Sequence, residues 1–112
     1  MKRRLIYRMT DVSNGMYYIG KDIVNGIEDL KDFYERVHYN KRNIELYPHY
    51  TDSRLYSYIV NCNLDNLVFE ILEDNIPHIS MEKVLEKYLS DETNPDKLIY
   101  CKQKEYVWNN RR

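Results

Sequence analysis

Alanine is missing from this 112-residue chain, and glycine, proline and cysteine are scarce, at three, three and two. The two cysteines, Cys62 and Cys101, show neither CxxC nor Cys/His spacing, which points to reduced packing thiols over a disulfide or a metal centre. No apolar run approaches the roughly 20 residues of a membrane span, and Met1-Lys2-Arg3-Arg4 is not followed by the apolar core of a signal peptide, so a cytoplasmic protein is expected. The three glycines, Gly15, Gly20 and Gly26, all fall in the first quarter of the chain, so any unusual backbone geometry is built there. Net charge is also nearly absent, at −1.

That balance conceals a segregation. Residues 1–60 sum to +2, residues 61–100 to −6 and residues 101–112 to +3. The acidic middle would repel a nucleic-acid backbone, whereas Lys2, Arg3, Arg4 and Arg8 at one end and Lys102, Lys104, Arg111 and Arg112 at the other would attract one. Hydrophobic residues make up 43% of the chain and aromatics 13%, enough for one folded domain over 1–112 and too much for a disordered chain. Twelve of those aromatics are tyrosines. Tyr, Asn, Ile and Lys have AT-rich codons and Ala a GC-rich one, so each tyrosine needs its position, not its abundance, to argue for a role.

Residues 4–10 and 16–20 are rich in β-branched and aromatic residues and flank Asn14-Gly15, a hairpin signal. After Asn25-Gly26, the apolar positions Ile27, Leu30, Tyr34 and Val37 recur at helical spacing to about Tyr39, with Glu28 and Asp29 at the start and Arg36 near the end. Asp52-Ser53 heads a short helix carrying Leu55, Tyr58 and Ile59. Residues 66–72 alternate as a third strand, and Ser80 precedes a helix with Met81, Val84, Leu85, Tyr88 and Leu89 on one face. Asn94-Pro95 opens a last helix or irregular segment towards Trp108. The order predicts a small α/β (α+β) domain on a three-stranded sheet.

Leu5-Ile6-Tyr7, the Asn14-Gly15 turn and Tyr18-Ile19-Gly20 together resemble the GIY-YIG endonuclease motif. The likeness extends along the chain: a helix with a late arginine, a histidine before Ser53-x-Leu55-x-x-x-Ile59, the run Phe69-Glu70-Ile71-Leu72-Glu73, a helical glutamate followed by an aromatic, and a terminal aromatic-Asn pair. Leu5 stands where the family's first glycine would be. Arg36 lies 16 residues after Gly20, about twice the family's usual distance, so residues 21–26 read as an insertion.

The resemblance implies a central three-stranded antiparallel sheet flanked by helices, and a metal-dependent phosphodiesterase site on one of its faces. Carried over, Tyr7 and Tyr18 are the motif tyrosines, Arg36 the phosphate-binding arginine, His49 the loop histidine and Glu86 the carboxylate for Mg²⁺ or Mn²⁺. Arg8, Lys21 and Asn109 contact substrate. The implied substrate is DNA, and specificity comes from loops, a homodimer or a protein partner. Stand-alone size and codon bias suit a phage or mobile element. The alternative reading is a catalytically inactive GIY-YIG-like binding or inhibitor protein of such an element.

The chemistry sets two conditions. A hard cation on a single carboxylate, retaining most of its waters, supplies the positive charge that a phosphodiester transition state needs, which suits Glu86. A tyrosine, with its pKa near ~10, is a poor general base unless something lowers that value. Arg8 follows Tyr7 in the strand and so points to the opposite face, leaving Arg36, His49 or a metal-bound water to help. If Tyr7 faces a cleft, Ile6 is left for the core. Each nomination has a plainer counterpart: a solvated helical glutamate at Glu86, a dipole-favoured cation at Arg36, and His38 as a rival to His49.

Overall fold

A computed structural model of the protein describes residues 2–39, 53–91 and 95–99. Strand β1 (Arg3–Asp11) and strand β2 (Tyr17–Val24) form a hairpin. Helix α1 (Ile27–Tyr39) and helix α2 (Ser53–Asn61) follow, then strand β3 (Leu67–Glu73) and helix α3 (Met81–Ser90). Short 3₁₀ turns lie at Leu64–Asn66, His78–Ser80 and Pro95–Lys97. The sheet order is β2-β1-β3 with both pairings antiparallel, so the domain is a small α/β unit whose three-stranded antiparallel sheet is flanked by helices.

The hairpin turn is longer than a two-residue Asn-Gly loop. Asp11 N–H donates to the Met16 carbonyl at 2.8 Å, and the Gly15 N–H donates to the Asp11 carbonyl at 2.8 Å. Only Gly15 takes positive φ in the turn, at 77°, where a side chain would be strained. Asn14 contributes its side chain instead, with Oδ1 accepting from Met16 N–H. Beyond Gly20 the strand continues to Val24, so residues 21–24, read from sequence as inserted, extend the β1 pairing as far as Arg3, and Asn25-Gly26 alone make the turn into α1.

α1 has its expected bounds, with Glu28 and Asp29 in its first turn and Asp29 Oδ2 accepting the Asn25 N–H at 2.8 Å. Ser80 precedes α3 but makes no side-chain cap: the preceding 3₁₀ turn holds its backbone in the helical region, at φ −96° and ψ −7°, and not in the extended conformation that capping uses.

Helices cover both faces of the sheet, and this changes the expectation that either Tyr7 or Ile6 would be core. Both are buried. Leu5, Tyr7, Met9, Tyr18 and Val24 pack with Leu30 and Tyr34 of α1, Leu55 and Ile59 of α2, and Ile99. Ile6, Tyr17 and Ile19 pack on the other face with Met81, Leu85 and Leu89 of α3 and with Leu98. Each fully buried aliphatic side chain contributes about 1.5–3 kcal/mol.

Candidate functional site

The β1–β2 register sets Tyr7 opposite Gly20 and Met9 opposite Tyr18, which places Tyr7, Tyr18, Gly20 and Asp22 on the face covered by α1 and α2. The rings of Tyr7 and Tyr18 lie 6.0 Å apart between centroids. Tyr18 folds back over residue 20 so closely that a Cβ there would overlap its Cε2 atom. Glycine at this position is therefore a packing requirement of the second tyrosine, independent of backbone dihedrals.

A third tyrosine completes the group. Tyr34 projects from α1 and its hydroxyl meets that of Tyr7 at 2.8 Å, with the rings edge-on at 6.2 Å. Burial, followed by the neighbouring Tyr7, Tyr18 and Asp22, pushes the Tyr34 hydroxyl well above the usual tyrosine value.

Arg36 lies on the same helix but on its exposed side. It borders a cleft of about 760 Å³ between α1 and the end of β2, shared with Asp22, Asp29, Asp32 and Glu35. Asp22 is the link between the two environments: it shares the tyrosine face and also lines the Arg36 cleft.

The other nominated residues are on the opposite face or outside the described residues. Arg8 stacks over the Tyr17 ring, 5.3 Å from its centroid, with Glu70 as its cross-strand neighbour. Lys21 pairs with Glu82 of α3. Glu86 is one helical turn beyond Glu82, half-buried, on a helix whose leucines pack under Ile6 and Ile19. Tyr7 and Glu86 are thus separated by the sheet, while Glu86 shares a helix row with the residue that grips the β2 edge through Lys21. His49 and Asn109 lie outside the described residues. His38, the rival histidine, is occupied: its Nδ1 donates to the Ile59 carbonyl at 2.7 Å and ties α1 to α2.

Among the described residues, no group of three or more His, Cys, Asp or Glu side chains is arranged around a common point for a metal. Glu86, like the other carboxylates here, is a hard oxygen donor of the kind Mg²⁺ accepts, and this ion commonly binds through one or two carboxylates while keeping several waters.

The chain matches no protein-family model, no curated protein and no solved structure. Sequence reading missed Tyr34 and Asp22. Tyr34 appeared only as an apolar position at helical spacing, and nothing in that spacing distinguishes a core phenol from one whose hydroxyl meets Tyr7. Asp22 lay in the segment read as inserted, so its place two residues beyond Gly20 on the same strand face was hidden.

Proposed function

We propose that this chain is a divalent-metal-dependent endonuclease of the GIY-YIG type that hydrolyses phosphodiester bonds in DNA. The observation that carries this reading is the pairing of the two motif segments: Tyr7 and Tyr18 share one sheet face at 6.0 Å, and Gly20 is the residue whose missing side chain admits the Tyr18 ring. The sheet order and the helices on both faces support it further.

In this reading Glu86 would hold Mg²⁺ or Mn²⁺, which would supply positive charge for the phosphate and leaving oxygens. Tyr7 would exchange the proton of the attacking water, with Tyr18 beside it, which requires α1 to move off a Tyr7 that is 3% exposed in this structure. Arg36, Arg8 and Lys21 bind backbone phosphates, with His49 and Asn109 completing the set. Tyr7 and Glu86 stand on opposite faces of the sheet, so in this reading they meet one phosphate only if DNA binding rearranges the helices about the β2 edge. A double-strand break takes two copies of the chain.

A second reading, a non-cleaving GIY-YIG-like binding or inhibitor protein, is favoured by one observation: the Tyr7 hydroxyl is buried against Tyr34 while Arg36 stands among carboxylates. Supercoiled plasmid incubated with the purified protein and Mg²⁺ or Mn²⁺, beside Glu86→Ala and Tyr7→Phe, separates the two. Nicking by the unmodified protein that both substitutions abolish is the expected result. Retention of DNA in a mobility shift without nicking, over a wide range of metal and pH, would establish the second reading in its place.

A further inference from the structure

The chain holds two Asn-Gly dipeptides, Asn14-Gly15 and Asn25-Gly26, and both asparagines are exposed. In such a pair the side-chain amide is open to attack by the next backbone nitrogen, because glycine puts no Cβ beside the path. The fold surrounds the two pairs differently. At Asn14 every participant is held: Oδ1 accepts from Met16 N–H at 2.8 Å, Nδ2 donates to the Tyr58 hydroxyl at 2.9 Å, and the Gly15 N–H donates to the Asp11 carbonyl at 2.8 Å. Bringing the Gly15 nitrogen onto the Asn14 amide costs these bonds.

At Asn25 the held groups are not the reacting ones. Its N–H donates to Asp29 Oδ2 at 2.8 Å and its carbonyl accepts from Arg3 Nη2 at 2.9 Å, so the main chain is anchored. Among the described residues, neither the Asn25 side-chain amide nor the Gly26 N–H has a hydrogen-bond partner. Asn25 borders the cleft of about 760 Å³ that Arg36 also lines.

We propose that Asn25 is a site of spontaneous deamidation in the folded protein, and that the fold protects Asn14 in the same dipeptide. The Gly26 nitrogen attacks Asn25 Cγ and closes a five-membered succinimide. The Cγ–Nδ2 bond breaks, and ammonia leaves with the proton that Gly26 gives up. Water then opens the ring at either carbonyl, giving aspartate or its isomer joined to Gly26 through the side-chain carboxyl. Either product adds a negative charge to a cleft already lined by Asp22, Asp29, Asp32 and Glu35 around Arg36. The isomer also adds a carbon to the main chain in the short joint that sets α1 against β2. This chemistry is independent of the nuclease reading.

The test is peptide mapping of the full chain aged at mildly alkaline pH, with and without urea. Trypsin puts the two sites in separate peptides, Met9–Lys21 and Asp22–Lys31, each with a single asparagine. Mass spectrometry reads the conversion of amide to acid, and chromatography separates the two products. In the folded chain Asn25 converts faster than Asn14 by about tenfold or more, the factor that one held hydrogen bond supplies. In urea the two rates come within a few-fold of each other. Gly26→Ala slows Asn25 and leaves the fold intact, since a Cβ there meets only Arg3 Nη2, at 3.8 Å. Tyr58→Phe, which removes one of the bonds to Asn14, speeds conversion of Asn14 and not of Asn25. Equal rates at the two sites in the folded chain, a faster Asn14, or an Asn25 that reacts only in urea would each overturn the proposal. The unmodified protein, folded against unfolded, decides even where a variant fails to fold.

Discussion

The Tyr58 hydroxyl on α2 donates to Asp11 Oδ2 at 2.7 Å, joining the end of the central strand to a helix 47 residues later in the chain. Asp11 is 4% exposed, and its other oxygen accepts from both the Ser13 N–H and the Ser13 hydroxyl. Tyr58 also accepts from Asn14 Nδ2 at 2.9 Å, so the hairpin turn, the carboxylate and α2 form one polar network.

Stability should follow the charge of Asp11. Burial alone would raise its pKa, but the hydrogen bonds from Ser13 and Tyr58 outweigh burial and hold it below the usual carboxylate value. The folded value is thus depressed relative to the unfolded one. This contribution is fully present above the ordinary carboxylate pKa, near ~3.9, and is lost as pH falls through the lower folded value. Urea unfolding of Asp11→Asn should show a flatter acid limb than the unmodified protein. Tyr58→Phe should cost about 1–3 kcal/mol at neutral pH, because it leaves a buried carboxylate oxygen without its donor. Identical acid limbs for Asp11→Asn and the unmodified protein would contradict the assignment.

Gly20→Ala should destabilise the hairpin through the Tyr18 ring and not through the backbone. The expected cost is about 1–3 kcal/mol, typical of overpacking. A double-mutant cycle decides the cause. In a Tyr18→Ala background the penalty of Gly20→Ala should largely vanish, whereas a backbone cause would leave it unchanged.

Much of this architecture is legible in the pattern of residues, and the reasons differ by element. The bounds of α1 follow from a 3.6-residue apolar repeat with acids at its start, both local properties. The extension of β2 to Val24 does not, because Lys21 and Asp22 look like a polar interruption until their pairing with Ile6 and Leu5 of β1 is known. The same limit applies to the site. Tyr7, Gly20 and Tyr18 are found from a motif with fixed spacing, while the partnership of Tyr7 with Tyr34 crosses 27 positions and depends on how α1 settles on the sheet. Packing hid Tyr58 in a different way. Its apolar body made it a core residue on a helical face, and only the fold reveals what its hydroxyl does.

Lys21 and Glu82 form a solvent-exposed pair, and breaking it should matter little for folding. Glu82→Ala should change unfolding free energy by no more than about 0.5 kcal/mol. On the nuclease reading the larger effect is on DNA. Glu82→Ala frees a lysine charge at the β2 edge and should tighten binding at low salt, whereas Lys21→Ala should weaken it and reduce the slope of log affinity against log salt by about one. Fluorescence anisotropy across a salt series measures both.

Arg36 offers a parallel experiment on the other side of β2. On the nuclease reading, Asp22, Asp32 and Glu35, which line the same cleft, would compete with phosphate for its guanidinium, so Asp32→Asn should strengthen DNA binding and Arg36→Ala weaken it. Equal affinities for the unmodified protein and both variants would remove Arg36 from the phosphate-binding set.

The sheet order also dictates a timetable for synthesis. β1 is the central strand, yet one of its two partners, β3, is specified by residues 67–73, made long after the hairpin has left the ribosome. Until Leu67 emerges, the hairpin exposes an open edge of β1 along with the apolar face that α3 later covers, and closing the sheet means bringing together distant parts of the chain. A nascent chain stalled before residue 67 should therefore be protease-sensitive and prone to self-association, and the hairpin should acquire protection in a single step once β3 docks.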